Sequence, residues 1–452
     1  MKYLPLVLII LVGALEAGFF LGILTDFWFD DDATLFAFIS KVEDPLSFFL
    51  SPKVIAASGF SFTPMQMFSY WCDFQIGGTN PKVAYIHSLI VFVLTAVTLF
   101  SVLRFSQSVQ FSLLVTIAWM FLPATIAIQE FIGTRHYMEG FLLMLSAIFF
   151  CYKNLTSETF SQRFWFAGLA LFLLFLAMLC KEIFVTSGCL FVFILLLFNK
   201  RYWETASVVA IAMLYTSYRL WAIGISSKYP MPMMDMAAYL EFLAKLPFIF
   251  SGNYLGYLLF MVAILYGVFL LVKREFPYLA AIVYILIIII SLVTIYPGSQ
   301  YLSNDWQSRG TWYRLPFLLN FIFLIGGGLL FQRSNHQFNR VMIVIVIFTL
   351  IHGAYMTRNN WDTLKDRYAV TGRYYIENHD RIVFSEVPAY WYLGGLKSLY
   401  QLKQPFILSA YPKKFKYSDA SDIREVWRYK DGAMVADAVL WEKLRQRFTK
   451  HK

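Results

Sequence analysis

Three consecutive carboxylates, Asp30, Asp31 and Asp32, stand in the stretch WFDDDATLF, directly after a long apolar run that begins at Tyr3. Adjacent like charges repel, and Trp28, Phe29, Leu35 and Phe36 bracket them with aromatic and apolar surface. Partial burial and mutual repulsion both raise the proton affinity of a carboxylate. A carboxylate perturbed in this way suits general-base chemistry near neutral pH. The same hard oxygen donors suit a divalent cation, magnesium or calcium. Spacing alone leaves base and cation ligand as alternatives, beside a plain solvated acidic turn.

Candidate cations lie further along the chain. In LCKEIFVT, Lys181 and Glu182 interrupt an apolar stretch. A lysine at the mouth of two membrane spans can capture an anionic headgroup where low dielectric strengthens attraction; the alternative is a lysine snorkelling to headgroups and paired with Glu182. In FIGTRHYMEG, Arg135 and His136 form a second cationic pair, and arginine grips phosphate through two nitrogens at once. The alternative is a polar loop held by Glu130 or Glu139. Arg309, in NDWQSRGTWYR, is a third candidate with a weaker signal. Glu16 is an acid inside the first apolar run, where ionisable groups are functional suspects or partners of a neighbouring helix.

These residues need scaffolding, and composition says what kind. Of 452 residues, 59% are hydrophobic and 15% charged, against roughly 25% charged in average soluble domains. The fold class is therefore all-α polytopic membrane protein. Eleven apolar spans are predicted, at 3–24, 84–103, 111–128, 138–152, 164–180, 183–198, 205–222, 254–272, 277–296, 313–331 and 341–357. A continuous helix over 164–198 would be ~52 Å long at 1.5 Å per residue, too long for a bilayer core of ~30 Å. Two spans with Lys181-Glu182 at their turn fit better. The first run is not read as a signal peptide, because its apolar core is too long and further spans follow.

Lysine and arginine density sets the orientation. The segments 1–2, 104–110, 153–163, 199–204, 273–276 and 332–340 hold 10 basic residues in 39 positions, and the opposite connections hold 10 in 125. The dense set belongs in the cytoplasm. That places the aspartates, Arg135-His136, Lys181-Glu182 and Arg309 on the outer face, together with the tail.

Residues 1–357 read as the transmembrane catalytic domain, with 25–83 as its first external loop. The tail, 358–452, is a compositional break: RIVFSEV and QPFILSAY alternate like strands, and DAVLWEKLRQRF looks helical. It reads as a small soluble α+β domain. The net charge of +10 is assigned to loops facing anionic lipid rather than to nucleic acid, since no basic helix interleaved with aromatics stands out. The four cysteines suggest neither a disulfide framework nor a zinc site. A sequon at Asn154 falls on the cytoplasmic side, which favours a bacterial inner membrane.

A catalytic acid in the first external loop with cations on later loops resembles the C-type glycosyltransferase superfamily, multispan enzymes that use polyprenyl-phosphate sugars. FDDDATL is similar to the acidic motif of that loop. The segment FTPMQMFSYWCDFQIGGTNPKVAYIHSLIVFVL resembles the transmembrane-and-tetratricopeptide-repeat O-mannosyltransferases and their bacterial relatives, through Pro64, Gly78, Asn80, Pro81 and His87. Gly133-Thr134-Arg135-His136 approximates their Gly-Arg motif, and Lys181-Glu182 matches their Lys-Glu motif. The likeness covers about residues 1–200. Thr63 replaces the arginine that often precedes the proline, and the tail replaces the repeat domain.

The resemblance implies an inverting, single-displacement transferase. In it Asp31 or Asp32, with Asp30 beside them, is the base, and Lys181, Arg135, His136 and Arg309 bind the donor phosphate, supported by Glu182 and His87. The donor would be a polyprenyl-phosphate-linked sugar and the acceptor a hydroxyl on a protein or cell-surface glycan or lipid; no metal is required, with a divalent cation at Asp30–Asp32 as the variant. The alternatives are an O-antigen ligase or polymerase, and a lipid-linked-sugar transporter or flippase. A transporter should show internal repeats and broken helices near the midplane, and no convincing repeat is found.

Overall fold

The computed structural model describes residues 4–24, 27–29, 32–57, 62–105, 107–185, 199–224, 366–378, 382–385, 389–402, 408–409, 426–430 and 432–439, with isolated helical positions elsewhere. Asp30, Asp31 and Arg309 lie outside the described residues, as do the expected spans 254–272, 277–296 and 313–331, nearly all of 341–357 and most of 183–198.

The helices begin and end where local chemistry dictates. Helix α1 runs Leu4–Leu24. Four shorter helices follow, α2 Asp32–Ile39, α3 Ser47–Leu50, α4 Pro52–Ala57 and α5 Pro64–Gly77. Helix α5 ends at Gly78, whose φ of +57° suits glycine. Two residues on, the Asn80 side chain accepts the Lys82 N–H and Pro81 occupies the first turn, so α6 starts at once and runs Pro81–Leu103. Ser108 caps α7, Val109–Met120. Thr159 caps α10, Phe160–Cys180, which packs antiparallel to α9, Arg135–Thr156. Helix α11 is Tyr202–Ile223, closed by Gly224 at φ +70°.

Four helical stretches among the described residues are long and apolar enough to cross a bilayer: Pro81–Leu103, Ile132–Thr156, Phe160–Cys180 and Tyr202–Ile223. Two boundaries bear on the sequence reading. The stretch at 164–198 does break at the Lys-Glu pair: Lys181 is extended, at φ −161° and ψ 140°, and helix resumes at 183. The predicted span 111–128 is not one helix. It stops at Met120 and restarts as α8, Pro123–Glu130. Pro123 drives Leu122 to an extended ψ of 136° and removes a helical N–H donor.

Tight packing holds the bundle together. The Phe92 ring stacks 5.6 Å from Trp119, which lies 5.8 Å from Phe141. Gly140 on α9 leaves room for the Phe184 ring, which a β-carbon would strike.

The tail is α+β, as the alternating stretches predict. Residues 366–377 form α12, and Ala389–Leu399 form α13. Strands β1 Ile382–Ser385, β2 Leu408–Ser409, β3 Val426–Lys430 and β4 Ala433–Ala436 make one sheet in the order β2-β1-β3-β4. β1 runs parallel to β2 and β3, and β3–β4 is an antiparallel hairpin turned at Gly432, φ +84°. α13 packs along α2, so the tail docks at the end of the bundle where the aspartate segment lies.

A candidate active site at one end of the bundle

The turn that launches α9 is gripped from two directions. Asp32, buried at the start of α2, accepts the Gly133 N–H on Oδ1 at 2.7 Å. From α5, the Gln66 amide donates to the Gly133 carbonyl at 3.1 Å, and the Tyr70 hydroxyl donates to the Ile132 carbonyl. Gln66 also donates to the Tyr70 oxygen at 3.1 Å. Burial pushes the Tyr70 hydroxyl well above the usual phenol range, so it stays a donor. A single helical turn, Ile132–Thr134, therefore has its backbone held by α2 on one side and α5 on the other.

Next on that helix is Arg135, 1% exposed. Its Nη1 lies 2.5 Å from Asp73 Oδ2 and donates to the Ala84 carbonyl at 3.1 Å. Its Nε donates to Glu139 Oε1 at 2.8 Å, Nη2 donates to Ser69 Oγ at 2.8 Å, and the guanidinium stacks 4.6 Å over the Tyr70 ring. These donors go to protein acceptors and bolt α5, α6 and α9 together. His87 joins the same cluster, with Nδ1 2.7 Å from Asp73 Oδ1.

Lys181 is held differently. It sits half-buried at the end of α10, with Nζ 5.7 Å over the Tyr137 ring, one helical turn beyond Gly133. Glu182 does not pair with it: its carboxylate binds Arg219 of α11 at 2.6 Å. Among the described residues no ion pair involves Lys181. His136 is buried, its ring 4.5 Å from Tyr137.

The structure thus brings together Asp32, Arg135, His136, His87 and Lys181 at one end of the bundle. Asp30, Asp31 and Arg309 lie outside the described residues. Glu16 falls in α1, with its side chain likewise outside what is described. Among the described residues no cluster of three or more His, Cys, Asp or Glu is arranged for a metal.

Sequence reading missed Gln66, Ser69, Tyr70, Asp73 and Arg219. A signal was present for the first four: within the aromatic helix MQMFSYWCD, polar groups recur at 66, 69, 70 and 73, a single helical face. Arg219, at the far end of a span, carried none.

No sequence-family model matches the chain, and no curated protein does. Among solved structures the chain is similar to ArnT from Cupriavidus metallidurans in the apo state, with a TM-score of 0.56 and 12% identity over 89% of this chain and 85% of that one. The structure of that protein bound to undecaprenyl phosphate matches with a TM-score of 0.45 and 12% identity, over 90% and 86%. At such identity the likeness is one of architecture alone, that of a mostly helical, multispan membrane protein.

Proposed function

We propose that the chain is a membrane glycosyltransferase that moves a sugar from a polyprenyl-phosphate donor to a hydroxyl acceptor, with inversion, on the periplasmic face of a bacterial inner membrane. One observation carries the reading. The Asp32–Gly133 hydrogen bond ties the acid triplet to the start of the helix whose next turn, through Tyr137, supports Lys181. Asp32 and Lys181, the latter without an ion pair among the described residues, therefore both attach at the start of α9, within the fold that ArnT also has.

In this proposal the triplet divides its work. Asp32 is the anchor, because its carboxylate already holds Gly133. Asp31, or Asp30 next to it, is the base. The acceptor hydroxyl gives its proton to that carboxylate as its oxygen attacks the anomeric carbon; the bond from that carbon to the phosphate oxygen breaks, and polyprenyl phosphate departs with the electron pair. Phosphate is already a good leaving group, so no partner acid is needed. Inverting glycosidases likewise use a carboxylate to activate the incoming nucleophile. Lys181 meets the phosphate and stabilises charge as it leaves, with His136 and Arg309 as further cations of the same role. Glu182 pairs with Arg219, and among the described residues no carboxylate pairs with the lysine. Arg135 works as a positioning residue, with His87 supporting it through Asp73. The acceptor is a protein or a cell-surface glycan or lipid. The variant with a divalent cation at Asp30–Asp32 is separated by chelation: loss of activity in EDTA favours the cation.

The test is purified protein with a panel of polyprenyl-phosphate monosaccharides, read as released polyprenyl phosphate. Asp31→Asn should lose about 10²- to 10⁴-fold in turnover, the usual worth of a general base, while still binding polyprenyl phosphate. Asp32→Asn, which keeps an oxygen for Gly133, should lose less. Normal turnover by both variants would sink the base assignment, and transport without bond cleavage would make the protein a transporter.

A further inference from the structure

The segment that carries the acid triplet is clasped from both sides by the tail. Before the triplet, the Phe29 ring packs 4.7 Å from Tyr368, Arg373 lies 5.8 Å over the Phe27 ring, and the Trp28 indole donates to the Tyr400 hydroxyl at 3.3 Å. Gly372, on α12, has no room for a side chain: a β-carbon there would strike the Phe27 ring and the Tyr392 hydroxyl. After the triplet, α2 and α13 cross so closely that a β-carbon on Gly395 would stand 2.5 Å from both the backbone nitrogen and Oγ1 of Thr34. Just past the end of α2, Lys41 donates to the Ser398 hydroxyl at 3.0 Å. Neither glycine has a positive φ, so each is required by close approach. At Gly395 the neighbour is main chain, which cannot swing aside in a close-packed contact.

We infer that α12 and α13 are a fixed wall of the active site, and that Gly372 and Gly395 are positioning residues that hold the segments flanking the acid triplet. The tail is then part of the catalytic unit and not a detachable module that reads the acceptor. This rests on the glycosyltransferase reading above. It has an asymmetric consequence. Lys181 belongs to α10 and leans on Tyr137, so disturbing the α2–α13 crossing displaces the base and spares the phosphate contact.

The experiment uses the full chain in lipid nanodiscs. Gly395→Val and Gly372→Val should bind polyprenyl phosphate as the parent does, yet turn over the donor panel about 100-fold more slowly, the size of loss a displacement of 1 Å produces in a reacting group. Amide exchange over residues 27–41 should rise while that over 135–156 does not. Val439→Ser, on an exposed tail position, should be silent in both readouts. If the valine variants do not fold, Gly395→Ala carries the test: it should be slow, and Thr34→Ala in the same chain should restore part of the rate by removing Oγ1. Parent-like turnover in Gly395→Val, or parallel loss of lipid binding and turnover in Gly395→Ala, would overturn the inference. Parent protein that cleaves no donor would count against the glycosyltransferase reading alone, since the exchange data still report the clasp.

Discussion

Replacing Arg135 with methionine is the sharpest physical test of the site. The substitution keeps most of the side-chain volume and removes a buried charge. Asp73 and Glu139 would be left as carboxylates with side chains 4% and 11% exposed, each losing a direct ion pair at 2.5 Å and 2.8 Å. Removing one member of a buried ion pair costs about 3–5 kcal/mol, because the remaining charge is uncompensated. Contact of the guanidinium with Tyr70 adds about 0.5–2 kcal/mol. Asp73 retains His87 and Glu139 retains the Ser69 hydroxyl, which moderates the loss. The expected destabilisation is therefore about 3–5 kcal/mol, measured by reversible urea unfolding in detergent and insensitive to salt, since burial shields the cluster from screening. The triple variant Arg135→Met, Asp73→Asn, Glu139→Gln removes the stranded charges and should recover about half of the loss or more. It should also bind polyprenyl phosphate nearly as well as the parent. A loss below about 1 kcal/mol, typical of an exposed ion pair, would refute the internal-cluster argument. Lost lipid binding in the stabilised triple variant would restore Arg135 as a phosphate contact.

Lys181→Met should weaken polyprenyl-phosphate binding about 10- to 100-fold, matching a charge-assisted contact of ~1.5–3 kcal/mol, and should flatten its salt dependence; Lys181→Arg should retain most of the affinity, and an unchanged Kd in the methionine variant would remove Lys181 from the site. Alkaline titration probes the buried phenols. Burial raises Tyr70 and Tyr392 well above the usual range in the folded protein, so the unfolded chain releases those protons first. Their stabilisation is complete below about pH 10 and falls as pH climbs beyond it, by about 1.4 kcal/mol per unit for each group. Tyr70→Phe should make that decline measurably shallower, and an identical slope would refute the assignment.

Much of the scaffold is legible in the order of residues along the chain. Apolar length names the spans, and the Gly78–Asn80–Pro81 run marks where one helix stops and the next begins. The Lys181-Glu182 break is visible because a 35-residue helix cannot fit the bilayer. Alternation at RIVFSEV and QPFILSAY marks strands β1 and β2. Each of these signals is local, arising from side-chain sterics, backbone donors and the thickness of lipid over a few neighbouring residues. The break at Pro123 was equally local and was simply outweighed by the continuous apolar run around it.

What only the tertiary structure decided is which distant groups meet. That Asp32 would hold Gly133, that Arg135 would turn inward to Asp73 while Lys181 did not, and that the tail would clasp the aspartate segment at Gly395 depend on how helices far apart in sequence pack. The sequence by itself determined the membrane class, the break at Lys181-Glu182 and the inventory of acids and cations. Whether a given charge becomes a buried anchor or a group offered to a ligand depends on the partners that packing brings within about 3 Å, where hydrogen bonds and ion pairs take hold. Sequence spacing does not encode that distance.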